Sequence, residues 1–299
     1  MGAAVVTPST EDSLVAVGLD PAAVREIVER ALAEDLGPDR VDVTSVATIA
    51  PDQTDTGDVV ARADGVVAGL PVAAAVFDLA SGGTVRLRAA VGDGARVRRG
   101  DVLATVEGPA RALLTAERTA LNLLSRMSGV ATHTRAWADA LDGTKATVLD
   151  TRKTTPGLRI LEKYAVRAGG GTNKRMGLYD VAMIKDNHKL AAGSIAAAYA
   201  RVRAAFPEVP VQVEVTTVAE AVEAVDAGAT FLLCDNMTPD LLREVVVAVG
   251  DRAELEATGG LTLEVAGEYA RTGVDYLSVG ALTHSSPILD IALDLRPRG

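Results

Sequence analysis

Between residues 147 and 280 the chain alternates six short apolar runs with longer amphipathic stretches, and this rhythm constrains the fold more than any other feature. The runs at 147–150, 181–185, 211–215, 230–235, 254–257 and 276–280 have the length and apolar character of buried strands. Helical periodicity fills the gaps at 191–206, 218–227, 240–249 and 262–272. Strand and helix recurring every 20–30 residues or so give right-handed βαβ units and a parallel sheet. No GxGxxG follows any of the six runs, so the pattern favours a parallel α/β barrel, incomplete at six strands, over an open dinucleotide-binding sheet.

Upstream the texture differs. Residues 1–18 are small, polar and aperiodic, which predicts a loose terminus. Asp20 and Pro21 then open a helix whose apolar positions are Val24, Ile27, Val28, Ala31 and Leu32, with Gly37 closing it. Between 57 and 107 the runs GDVVARA, TVRLRAAVG and DVLATVEG alternate with Gly and Asp turns, the pattern of a small sheet-containing domain. From 109 to 141 the chain is rich in Ala and Leu and predicts one or two helices, with Gly129 as the break. The expected division is a terminus at 1–18, a first domain at 19–125 on which 285–299 can pack back, and a barrel domain at 126–284.

Composition narrows the function classes. Of 299 residues, 48% are apolar, enough for a substantial core, and only 3% are aromatic. The formal charge of -10 repels nucleic acid, and base-stacking platforms are scarce, so nucleic acid is not an expected partner. No run approaches the roughly 18–20 uncharged residues of a membrane span, and no secretory pattern opens the chain, so a cytoplasmic protein without membrane association is expected. The one cysteine, Cys234, sits in the apolar run TFLLCD and reads as a core thiol. Three histidines without HExxH spacing offer little to a zinc hydrolase; any metal is expected to be a hard cation on carboxylates.

In a parallel barrel the reactive groups gather where the strands end, because the following loops converge on one mouth. Here the ends carry Arg152 and Lys153, then Lys185, Glu214, Asp235, Thr258 with Gly259 and Gly260, and Gly280. Any one of these is explained by a solvated strand end or a structural ion pair. Together, cations, two carboxylates and glycine-bearing turns at one mouth suit an anionic, phosphate-bearing substrate with a divalent cation. Residues 145–189 hold ten Lys or Arg against four Asp or Glu, a local +6, so the rest of the chain carries -16. A basic pocket in an acidic shell draws in small polyanions. Between the first and second strand runs, AGGGTNKR puts Asn173, Lys174 and Arg175 on a tight glycine-made loop. Arg175 can grip a planar carboxylate with two parallel hydrogen bonds, and Lys174 adds a point charge.

The stretch DTRKTTPGLRILEKYAVRAGGGTNKRMGLYDVAMIKDNH closely resembles the signature region of the quinolinate phosphoribosyltransferase family, the carboxylating nicotinate-nucleotide pyrophosphorylases. The similarity extends through TAERTALNLLSRMSG, VQVEV, LLCDN, ATGGL and SVGALTHS, covering roughly residues 20–295. It implies an N-terminal α/β sandwich domain and an incomplete barrel, paired as a homodimer with shared active sites, higher homo-oligomers being left open. It also implies the reaction: quinolinate and phosphoribosyl pyrophosphate give nicotinate mononucleotide, pyrophosphate and carbon dioxide, with Mg2+ and no organic cofactor, in NAD synthesis.

Carried over position by position, the resemblance makes Arg118 an arginine that reaches the neighbouring subunit's substrate, and Thr151, Arg152 and Lys153 a substrate-binding group. Arg175 would hold the quinolinate carboxylates, and Lys185 would be the lysine of the IKDNH motif. Glu214 and Asp235 would attend ribose and Mg2+, directly or through water. Thr258, Gly259, Gly260, Val279, Gly280 and Ala281 would form the phosphate-cradling turns. One position departs from the pattern: Lys174 stands where the family usually has histidine, which keeps a donor and a charge but not the ring. Two rival readings remain, a related phosphoribosyltransferase acting on another pyridine acid, and a lyase that forms a Schiff base on Lys185.

Overall fold

A computed structural model describes residues 5–297. By internal contacts the chain divides into two compact units, one formed by residues up to His133, Thr155–Gly170 and residues from Ser286, the other by Thr134–Thr154 and Gly171–Ser285. This division differs from the expected boundaries in two ways: the break falls after residue 133, and the segment 155–170 clusters with the first unit.

In the first unit, strands Thr54–Ala61, Arg86–Ala89, Val102–Pro109 and Ile291–Leu295 form an antiparallel sheet, with the C-terminal strand paired to Thr54–Ala61. The helix Leu70–Ser81 buries Val72, Val76, Phe77 and Leu79, its apolar stripe forming part of the unit's core. Pro21–Leu36 is a helix as expected, with the Asp20 carboxylate accepting from the Ala22 N–H and Gly37 at its end. The expected loose terminus is corrected in part. Pro8–Ala16 is helical and buries Leu14, and Thr7 ahead of it donates both its N–H and its hydroxyl to Asp78. Its weak periodicity hid it, because one buried leucine and one polar clamp anchor it. Residues 1–4 lie outside the described residues.

Gly129 does not interrupt the helix Ala110–Ala140, which runs 31 residues. A Cβ at Gly129 would stand 2.0 Å from the Pro287 carbonyl oxygen, so the glycine serves a close backbone approach, and the helix tolerates it.

The second unit is a six-stranded parallel sheet: β1 (Thr147–Leu149), β2 (Ala182–Ile184), β3 (Val211–Val215), β4 (Phe231–Asp235), β5 (Glu254–Thr258) and β6 (Tyr276–Ser278). The spatial order is β1-β6-β5-β4-β3-β2, which leaves β1 and β2 as edges, the arrangement of an unclosed barrel. Every expected strand is present. The expected helix over 191–206 is instead two helices, Asp186–Ala192 and Ile195–Ala205. Gly193 takes a left-handed conformation at φ 96°, and the Ser194 hydroxyl caps the second helix by accepting from the Ala197 N–H. No helix among the described residues is long and apolar enough to cross a membrane.

Candidate active site

Side chains alternate across a strand, and adjacent parallel strands hold their side chains in register. Glu214 on β3, Leu233 on β4 and Glu256 on β5 are register partners and so share one face, as do Asp235 and Thr258 two residues further along. Glu214 of VQVEV thus stands level with Glu256, and Asp235 of FLLCD two residues further on, level with Thr258 at the glycine turn after β5. A cavity of about 740 Å³ opens there.

Every strand-end residue singled out from the sequence lines it. From the loop after β1 come Thr151, Arg152 and Lys153; from the glycine loop, Lys174 and Arg175; from the end of β2, Lys185. Glu214 and Asp235 form the acidic side, and Thr258, Gly259, Gly260, Val279, Gly280 and Ala281 the turns. Met183, Asn236, Ser278 and His284 also line the cavity without having been anticipated. His284 lies three residues past a phosphate-type turn, and that spacing was the one signal for it.

Local geometry explains how these groups are held. The fully buried Asp150 carboxylate accepts from the Lys174 backbone N–H at 2.7 Å and from the Asn173 side-chain amide at 2.8 Å, fixing the loop to the end of β1. The Thr283 hydroxyl donates to the Lys153 carbonyl at 2.8 Å, tying the turn after β6 to that after β1. Gly259 sits at φ 98°, and a Cβ there would stand 2.1 Å from Asn236 Oδ1, so only glycine fits. At Gly280 a Cβ would meet Lys153 Cδ at 2.9 Å.

The charges are unevenly committed. Lys185 Nζ lies 3.4 Å from Glu214 Oε2. Arg175 donates to the Val181 carbonyl at 3.1 Å, and burial, with Arg152 close by, lowers its affinity for a proton below the usual range. Arg152 Nε is buried and has no hydrogen-bond partner among the described residues, a donor available to a ligand. Lys174 is bonded to Glu256, and burial above all pulls its pKa down, with Glu256 opposing and Arg175 and Lys185 adding to the fall. Cys234, within β4, is pushed up to about 12 by burial and then by the charge of Glu256, in keeping with a core thiol.

Comparison with known proteins decides the family. Residues 42–128 match the N-terminal domain of quinolinate phosphoribosyl transferase and residues 130–294 its C-terminal domain. The chain belongs to the quinolinate phosphoribosyltransferase family. A nicotinate-nucleotide pyrophosphorylase [carboxylating] of Mycobacterium leprae is 51% identical over 278 residues, covering 91% of this chain and 97% of that one. A probable nicotinate-nucleotide pyrophosphorylase [carboxylating] of Bacillus subtilis is 43% identical over 91% of this chain and 93% of its own length. The crystal structure of NadC from Streptococcus pyogenes superimposes with a TM-score of 0.89 at 37% identity, covering 93% of this chain and 98% of that one.

Of the site residues expected for a phosphoribosyltransferase, one is not among those that line this cavity. Arg118 is exposed on the helix Ala110–Ala140 and does not line it. Glu256 and Gln212, both fully buried behind the Lys174 side chain, were passed over in the sequence because each sits mid-strand, where a polar residue is indistinguishable from an outward-facing one until register is known.

Proposed function

We propose that the chain transfers the phosphoribosyl group of phosphoribosyl pyrophosphate to the ring nitrogen of quinolinate, with loss of carbon dioxide, giving nicotinate mononucleotide for NAD synthesis. One observation carries the reading: in a chain of -10, Arg152, Lys153, Arg175 and Lys185 converge on a single cavity opposite Glu214 and Asp235, and Arg152 leaves a buried donor without a partner. A ligand with two carboxylates and several phosphate oxygens answers that distribution of charge.

Breaking the bond between the anomeric carbon and pyrophosphate leaves positive charge on the ribose and negative charge on the departing group. Glu214 and Asp235 offset the first, and the lysines at the ends of β1 and β2 stabilise the second. The two arginines hold the pyridine carboxylates so that the ring nitrogen faces the anomeric carbon. Once that nitrogen carries a positive charge, the neighbouring carboxylate leaves as carbon dioxide, because the electron pair left on the ring carbon is stabilised beside the cationic nitrogen; that carbon then takes up a proton from water to give the product.

Magnesium fits the residues present. The ion is commonly held by one or two carboxylates together with water and substrate phosphates, and Glu214 and Asp235, on adjacent strands in the cavity, are such a pair. When bound it would neutralise pyrophosphate charge. We also infer a homodimer in which Arg118 of each subunit serves the other's site; its exposure on a helix outside the cavity supports this. The cytoplasm is the compartment inferred, since substrates this highly charged do not cross membranes unaided.

The test is incubation with phosphoribosyl pyrophosphate, magnesium and either quinolinate or nicotinate. Carbon dioxide and nicotinate mononucleotide are expected from quinolinate alone. Turnover of nicotinate in its place would overturn the reading.

A further inference from the structure

Behind the cavity wall lies a carboxylate that the reaction described above does not use. Glu256 on β5 is fully buried, and its two oxygens are taken by different partners: Oε1 by the Lys174 ammonium, Oε2 by the Gln212 side-chain amide at 2.6 Å. Gln212 is itself fully buried on β3. Lys174 lines the cavity, with a tenth of its side chain exposed, whereas Glu256 and Gln212 do not line it. The order from barrel interior to cavity is therefore amide, carboxylate, ammonium.

A buried carboxylate is tolerated when a cation and further hydrogen bonds satisfy it, and removing the cation leaves an uncompensated charge. We propose that Glu256 is a positioning residue that sets substrate specificity: it pins the Lys174 ammonium at the cavity wall and cancels its charge, so that the pair offers the pyridine dicarboxylate N–H donors without net charge. This rests on the pyridine-dicarboxylate reading above. The cancellation has a chemical use. One substrate carboxylate must depart as neutral carbon dioxide, and an unbalanced cation beside it would stabilise the bound anion more than the transition state, in which that charge disperses. Arg152 and Arg175 remain to supply net charge for recognition.

Three variants test this: Lys174→Met, Glu256→Gln and the double variant, each checked for folding by circular dichroism and assayed for quinolinate KM, phosphoribosyl pyrophosphate KM and kcat. Lys174→Met exposes a bare carboxylate to a dianion, and quinolinate KM is expected to rise at least about tenfold, the equivalent of one charge-assisted hydrogen bond. Adding Glu256→Gln removes the stranded charge and should recover most of that loss. A double variant no better than Lys174→Met overturns the proposal. Glu256→Gln alone keeps the shape and the acceptor for Gln212, and should alter quinolinate KM or kcat at least about threefold while leaving phosphoribosyl pyrophosphate KM in place. Should Lys174→Met not fold, this arm decides, and unchanged quinolinate parameters overturn the proposal. Wild-type turnover of quinolinate is the control: its absence defeats the functional reading, whereas turnover with simply additive losses defeats this inference alone.

Discussion

Lys185 Nζ stands 3.4 Å from Glu214 Oε2, linking the end of β2 to β3 inside the cavity. Half of the lysine side chain is exposed, so the pair adds no more than about 1 kcal/mol to stability. Both groups line the cavity, so one carboxylate and one ammonium face the same space. Glu214→Ala is expected to lower kcat/KM for quinolinate by roughly 10²–10³-fold, the range for losing one electrostatic stabiliser of a transition state. The melting temperature should hardly move. Steady-state kinetics and a thermal melt on the same preparation check both halves, and unchanged turnover would remove Glu214 from the reaction.

Asp150 controls the site without lining it. Its buried carboxylate accepts from the Lys174 N–H and the Asn173 amide, and these bonds fix the loop that delivers Lys174 and Arg175. Asp150→Ala strands both donors, at about 1–3 kcal/mol of stability. Quinolinate KM is expected to rise about tenfold or more as the loop loosens, a larger change than in phosphoribosyl pyrophosphate KM. Denaturant titration and the two KM values test it.

The barrel and its mouth were legible because strand ends are marked in one dimension. A short apolar run followed by a charge, as in VLDTRK, AMIKD and LLCDN, states both where the strand stops and which group emerges there. Groups inside strands were not legible. Gln212 and Glu256 meet in space through register across three strands, and their separation of 44 residues gives no hint of it. The two-helix form of 186–205 was hidden for another reason. The start of the first helix is held by the Lys185 backbone N–H donating to His188 Nδ1 at 3.0 Å, a pattern outside the usual Ser, Thr, Asp and Asn caps. The helix Pro8–Ala16 escaped because tertiary contacts of Leu14 and the Thr7–Asp78 clamp, and not an amphipathic stripe, hold it.

The turn after β5 allows a paired comparison of two glycines. Gly259 needs both its positive φ of 98° and the space that Asn236 Oδ1 occupies 2.1 Å from a would-be Cβ, whereas Gly260, at φ 60°, has nothing within 4 Å. Gly260→Ala should therefore cost only left-handed strain, about 1 kcal/mol. Gly259→Ala must also displace Asn236, whose N–H is bonded to the Thr258 carbonyl at 2.9 Å, and should cost about 2–3 kcal/mol or more. The same displacement moves the neighbouring Asp235, so kcat is expected to fall further in Gly259→Ala than in Gly260→Ala. Chemical denaturation and turnover of the two variants measure the contrast.

Cys234 gives the sharpest prediction about pH. Burial, with the Glu256 charge adding to it, pushes the thiol from 9.0 up to about 12, so the native protein holds essentially no thiolate at pH 8. A disulfide reagent at that pH should find no reactive thiol in the folded chain and one equivalent after unfolding. The sign for stability follows. Above pH 9 the unfolded chain ionises this group while the folded chain keeps its proton, so the folded state loses stability as pH rises from there toward 12. Cys234→Ala removes that dependence at the cost of a small cavity, so its denaturation midpoint should sit below wild type at pH 8 and the gap should narrow by pH 10. A gap that stays constant over that range would show that the thiol is not the group responsible.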